Sequence, residues 1–229
     1  MMSRADRTAL SEWWWTVDRA LLAALAALMV IGIILCLAAS PAVAARLNIS
    51  DPFHFVNRQV LFLLPAAVVM ILTSFLTPRA LRRVCVGVFI VFLVLLLATL
   101  VVGPEVKGAR RWLTIASNTI QPSEFIKPAF VVLAAWLFAE STKNPEMPAR
   151  LMAFGLLASV LGPLVRQPDF GQSLLICLVW GALFFLAGLR WIWMFGLVGI
   201  GVGGGTLAYF TVSHVHKRID RFLNPDSGD

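Results

Sequence analysis

Residues 84–102 read VCVGVFIVFLVLLLATLVV, nineteen consecutive positions without a charge. At ~1.5 Å per helical residue such a run crosses most of a hydrocarbon core of ~30 Å. Within lipid, a single segment of this kind satisfies its own backbone only as a helix. Working outward, uncharged runs of twenty residues at 20–39, twenty at 170–189 and twenty-two at 191–212 repeat the pattern. Shorter apolar stretches at 60–76, 125–139 and 151–165 reach spanning length once their polar ends are counted. The chain has 229 residues, 59% of them hydrophobic and 14% charged. A soluble domain cannot cover its surface with so few polar groups. The expectation is an all-α polytopic membrane protein, a single domain over 1–229 with about seven transmembrane helices. These are placed at about 20–40, 58–76, 84–103, 123–140, 151–166, 169–189 and 191–212.

The first run is too long for a cleavable signal peptide, and Trp13, Trp14 and Trp15 ahead of it suit an anchor at the membrane interface. Cys36, Cys85 and Cys177 are the only cysteines, sit in apolar runs and lack CxxC spacing, so they read as packing residues, not as disulfide or metal sites. His214 and His216 are read as loop histidines, with a metal site formed together with Asp220 as the minor alternative; no metal site is assigned. The net charge of +7 is attributed to membrane topology and anionic lipid, not to nucleic acid.

An N-terminus in the cytoplasm places nine cations inside: Arg4, Arg7, Arg19, Arg79, Arg82, Arg83, Lys143, Arg150 and Arg190. It places ten outside: Arg46, Arg58, Lys107, Arg110, Arg111, Lys127, Arg166, Lys217, Arg218 and Arg221. The overall count does not decide orientation, but the first loops favour the N-terminus inside. The outer face then carries cations that topology does not require, clustered in KGARR (107–111), at Lys127, at Arg166 and in HKRIDR (216–221). Such a face suits an anionic ligand or an external partner; scattered, solvated loop cations are the alternative.

Two polar inserts interrupt the apolar pattern. In QPSEFIKP (121–128), Ser123 is expected to cap a helix that Pro122 introduces. Glu124 and Lys127 then share one face, three residues apart. A charge at the bilayer centre costs ~2.5–3.5 kcal/mol, so the pair should face the bundle interior, as a cavity wall or as a structural tie. In LVRQPDFGQSLL (164–175), Asp169 stands at the start of a helix, where the dipole favours an acid. Capping accounts for Asp169 but not for the cluster of Arg166, Gln167 and Gln172 around it. GVGGGT (201–206) suits close helix packing.

GARRW (108–112), QPSEFIK (121–127) and QPDFGQ (167–172), in that order between such helices, resemble the SEDS family of shape, elongation, division and sporulation proteins. FHFVNRQ (53–59) and RIDRFLNPDSGD (218–229) extend the match over most of the chain, and the motifs are closer to the division branch than to the elongation branch. The resemblance implies a glycosyltransferase that polymerises lipid II into peptidoglycan strands during septal synthesis. It implies the bacterial cytoplasmic membrane, the N-terminus inside, and as partners a class B penicillin-binding transpeptidase and other division proteins. It also implies a fold of about ten helices, of which this chain is the N-terminal part, expected to be inactive alone. The family's proposed acidic base is expected beyond Asp229, with Asp169 a weak substitute. Arg110, Arg111, Gln121, Ser123, Glu124, Lys127, Gln167 and Asp169 are the candidate substrate-binding residues. No cofactor is required by the reading, though a divalent cation, Mg or Mn, could serve the leaving diphosphate. A lipid II flippase and a non-catalytic division scaffold are the competing readings.

Overall fold

The computed structural model of the chain describes residues 9–105, 109–115, 118–188 and isolated positions between 196 and 220. The chain divides into two compact units, Met1–Leu81 and Arg82–Asp229. The first holds α1 (Ala9–Thr16), α2 (Arg19–Arg46) and α3 (His54–Ser74). The tryptophan-rich stretch is thus a helix of its own. Trp13 donates its Nε1–H to Ser74 Oγ at 2.7 Å and stacks on Phe75 at 4.9 Å, tying α1 to the end of α3. The Arg19 guanidinium lies 5.6 Å from the Trp14 ring and 5.8 Å from the Trp15 ring. Asp18 caps α2, its Oδ1 accepting from the Leu21 amide at 3.0 Å.

α2 outruns its expected end at residue 40 because Pro41 is absorbed within it. An interior proline removes one helical donor, a loss that transmembrane helices tolerate with help from neighbouring groups. The helix stops instead at Asn48, whose φ of 54° lets Ile49 donate back to Ala44 at 2.9 Å. α3 starts four residues before the expected 58, because Asp51 accepts from the Phe53 amide at 2.9 Å and from Asn57 Nδ2 at 3.3 Å. Most of FHFVNRQ is therefore helical.

α4 (Pro78–Val102) begins with proline in its first turn, behind Thr77, which accepts from the Ala80 amide at 3.3 Å. The remaining described elements are β1 (Leu113–Ile115), β2 (Asn118–Ile120), α5 (Pro122–Lys143), α6 (Ala149–Arg166) and α7 (Phe170–Leu186). The two strands correct the all-helical expectation locally. They pair antiparallel with Leu113 opposite Ile120 and Thr114 opposite Thr119, a β-branched sequence closing its own backbone bonds. Gly103 brings this segment against α4: a Cβ there would strike the Thr99 carbonyl and lie 3.1 Å from the Trp112 carbonyl.

Helices α5, α6 and α7 meet around aromatic rings. Trp180 is fully buried, 4.7 Å from Phe154, 5.0 Å from Phe184 and 5.3 Å from Phe138, and its Nε1–H donates to the Ala153 carbonyl at 3.1 Å. Phe92 stacks on Phe125 at 4.8 Å, joining α4 to α5, and the Arg82 guanidinium lies 4.6 Å over the Trp136 ring. Elsewhere the large apolar side chains point outward: Leu61 is 66% exposed and Val101 78%. A water-facing surface could not carry them, whereas lipid can.

Five described helices, α2 to α6, are long and apolar enough to span a membrane, and α7 is a shorter apolar helix of 17 residues. The protein is a multi-pass membrane protein. The seventh expected span, 191–212, lies outside the continuously described residues, as do Lys107, His214 and His216.

Candidate functional site

The polar inserts converge on one end of the second unit, where α4 and α6 finish and α5 and α7 begin. Gln121, in extended conformation with φ −104° and ψ 102°, occupies the residue before α5, and Pro122 opens the helix. Ser123 is therefore not the cap. It lies inside the first turn, 3% exposed, because a proline fits best at the first helical position and shifts the boundary back by two residues. Gln121 makes no side-chain cap bond either.

Glu124 and Lys127 pair as their spacing predicts, with Nζ 2.6 Å from Oε2. The structure adds Gln172 from α7. Its Oε1 accepts from Lys127 Nζ at 3.0 Å, and its Nε2 donates to Glu124 Oε1 at 2.6 Å. The three side chains form a closed ring of complementary donors and acceptors linking α5 to α7. The Lys127 side chain is 21% exposed and that of Glu124 46%, so the ring faces an accessible surface.

One turn back along α7, Asp169 precedes the helix but makes no side-chain cap bond. Its carboxylate turns to Arg111, with Oδ1 3.6 Å from Nη1, while Arg111 Nη2 donates to the Pro168 carbonyl at 2.9 Å. The Asp169 side chain is 8% exposed. Among the described residues, its Oδ2 and the Arg111 Nε are buried without hydrogen-bond partners. The start of α7 thus holds two cations from distant parts of the chain, Arg111 through Asp169 and Lys127 through Gln172.

Gln167 turns inward. It is buried, and its Nε2 donates to Thr99 Oγ1 and to the Leu96 carbonyl, the latter at 3.3 Å. Its amide nitrogen serves as a tie between α4 and the α6–α7 turn. Arg110 points outward to a loose, exposed pairing with Glu105 at 3.8 Å. Arg110, Arg166, Glu105, Gln167 and Pro168 line a pocket of about 280 Å³ together with Leu100 and Ala109. Among the described residues, no group of three His, Cys, Asp or Glu is arranged to hold a metal, and Glu124 and Asp169 each face a cation.

Of the sequence-selected residues, the structure joins Glu124 with Lys127 and Arg111 with Asp169, and leaves Arg110, Gln121 and Ser123 outside both groups. Pro168 and Thr99 were not anticipated, because each acts through a contact between distant segments. Gln172 stood out in the sequence only as a member of a polar cluster; its i,i+3 spacing from Asp169 was the available signal.

Residues 18–228 match the family described as FtsW/RodA/SpoVE cell cycle proteins. The chain belongs to that family. A relative from Caulobacter vibrioides, named Probable peptidoglycan glycosyltransferase FtsW, is 44% identical over 227 residues, 99% of this chain and 58% of that protein. One of the same name from Trichlorobacter lovleyi is 33% identical over 91% of this chain and 56% of its own length. The crystal structure of the rod shape determining protein RodA of Thermus thermophilus superposes with a TM-score of 0.62 at 27% identity, covering 82% of this chain and 60% of that one. A chain solved in a study of a peptidoglycan synthase complex that coordinates polymerization and crosslinking gives a TM-score of 0.58 at 27% identity, over 85% and 59%. The expected SEDS membership and fold thus hold, and this FtsW/RodA-type chain spans about 58% of its Caulobacter relative.

Proposed function

We propose that the protein containing this chain is a peptidoglycan glycosyltransferase of the FtsW type, using lipid II as substrate at the outer face of the bacterial cytoplasmic membrane. The observation that carries the reading is the pair of held cations, Arg111 and Lys127, at one end of an apolar helix bundle. In the reaction, the 4-hydroxyl of one sugar attacks the anomeric carbon of another lipid-linked sugar, the bond to the diphosphate oxygen breaks, and undecaprenyl diphosphate leaves. The hydroxyl proton passes to a base, and negative charge grows on the departing diphosphate. Lys127 is the group suited to meet that charge. Two of its three donors are fixed by Glu124 and Gln172, and the third remains for a ligand oxygen. Arg111 supplies positive potential beside it, and Arg110 and Arg166 extend the potential along the adjacent pocket.

Asp169 is poorly suited to be the base. Its carboxylate is nearly buried and already turned to Arg111, so it presents no open face to an attacking hydroxyl. The proton acceptor is then sought at a residue other than Asp169. Names of relatives support the activity, and the synthase-complex neighbour supports pairing with a crosslinking partner; a class B penicillin-binding transpeptidase at the septum is the partner the family resemblance implies. The deciding experiment incubates the purified protein from the complete reading frame with lipid II and resolves glycan strands on a gel. Polymer supports the proposal. Lipid II transfer between bilayer leaflets without polymer supports the flippase reading, and neither activity supports a scaffold.

A further inference from the structure

Lys127 carries its charge beside a carboxylate on its own helix, and an isolated i,i+3 pair of this kind tends to neutralise itself. In this site Glu124 Oε1 accepts from Gln172 Nε2 at 2.6 Å, while Oε2 lies 2.6 Å from the ammonium. The same Gln172 side chain presents its Oε1 to Lys127 at 3.0 Å. The primary amide of Gln172 accepts from the ammonium and donates to the carboxylate at once while adding no charge. The amide orientation is therefore dictated by its two partners. Glutamate at this position would accept from Lys127 but repel Glu124; methionine would do neither.

We infer that Gln172 is a positioning residue that holds the Lys127 ammonium at a fixed point in the ring with Glu124 and leaves one ammonium donor free for an anionic oxygen of the substrate diphosphate. The inference rests on the assignment of Lys127 to that diphosphate. It extends the site from α5 to α7, and it gives the second glutamine of QPDFGQ, Gln172, a task that capping and helix packing do not require.

The test uses the purified protein from the complete reading frame, with two readouts: binding of undecaprenyl diphosphate, and kcat and KM for lipid II polymerisation. Gln172→Met should weaken diphosphate binding and lower kcat/KM about tenfold, the size of one misplaced charge-assisted contact. Gln172→Glu should lose more, because a second carboxylate surrounds Lys127. Exchanging the two partners (Glu124→Gln with Gln172→Glu) rebuilds the ring with the same net charge and should recover binding to within about threefold of the parent, since every donor and acceptor is matched again. Equal membrane abundance and a single detergent-solubilised species establish folding. If Gln172→Met folds poorly, the exchange variant decides, because it retains all three ring contacts. Parent-like binding and turnover in Gln172→Met, alongside loss in Lys127→Met, would overturn the positioning role while sparing Lys127. An exchange variant no better than Gln172→Glu would overturn it too. Parent-like behaviour of Lys127→Met would remove the assignment on which both ideas stand.

Discussion

Arg111 and Asp169 face each other at 3.6 Å, and Arg111 also donates to the Pro168 carbonyl at 2.9 Å, so one guanidinium holds two consecutive residues of the α6–α7 turn. The Asp169 side chain is 8% exposed, which makes it expensive to strand. Breaking a buried pair from one side typically costs ~3–5 kcal/mol, whereas removing both charges costs much less. Arg111→Gln should therefore lower thermal stability in detergent sharply. Arg111→Gln with Asp169→Asn should recover a large part of it. If the double variant is no more stable than Arg111→Gln, the two residues are not coupled, and Asp169 has another partner.

Lys127→Met keeps most of the side-chain volume and removes the cation. With a diphosphate contact formed mainly in the transition state, the loss of one charge-assisted bond is worth ~1.5–3 kcal/mol, roughly ten- to a hundredfold in rate. Membrane abundance should stay near the parent level. A structural tie behaves differently: Lys127→Met would then misfold, and Glu124→Gln with Lys127→Met together would restore both abundance and full polymerisation. Recovery of full activity by that double variant would remove Lys127 from the site.

Trp180 packs α5, α6 and α7 together, and its loss should be felt throughout the second unit. Trp180→Ala should destabilise by ~3–5 kcal/mol, read as a lower midpoint of thermal unfolding in detergent. Trp180→Phe keeps ring contacts but loses the bond to the Ala153 carbonyl, a loss of about 1 kcal/mol. An alanine variant with an unchanged midpoint would mean that this aromatic cluster is not what joins the three helices.

Orientation is checked by chemistry from either side of the membrane. A cysteine at Thr119, exposed on β2, should react with an impermeant thiol reagent added outside whole cells or spheroplasts. A cysteine at Lys143, at the other end of α5, should react only after the membrane is opened. The opposite labelling pattern would turn the cation-bearing end inward and exclude an external lipid II site.

The sequence by itself determined that this is a helical membrane protein, because long uncharged runs admit only one backbone solution in lipid. It also determined the i,i+3 contact of Glu124 with Lys127, since that spacing is local to one helix turn. Helix ends were less legible. Pro122 reads as introducing a helix and is its first residue, whereas Pro41 lies inside a helix expected to end at residue 40. Only the tertiary structure decided that Asp169 faces Arg111 instead of capping α7, that Gln167 is spent on Thr99, and that Gln172 closes the ring around Lys127. Each of these joins segments far apart in the chain. Local periodicity fixes which face a side chain occupies, but the partner on that face is chosen by how the helices pack.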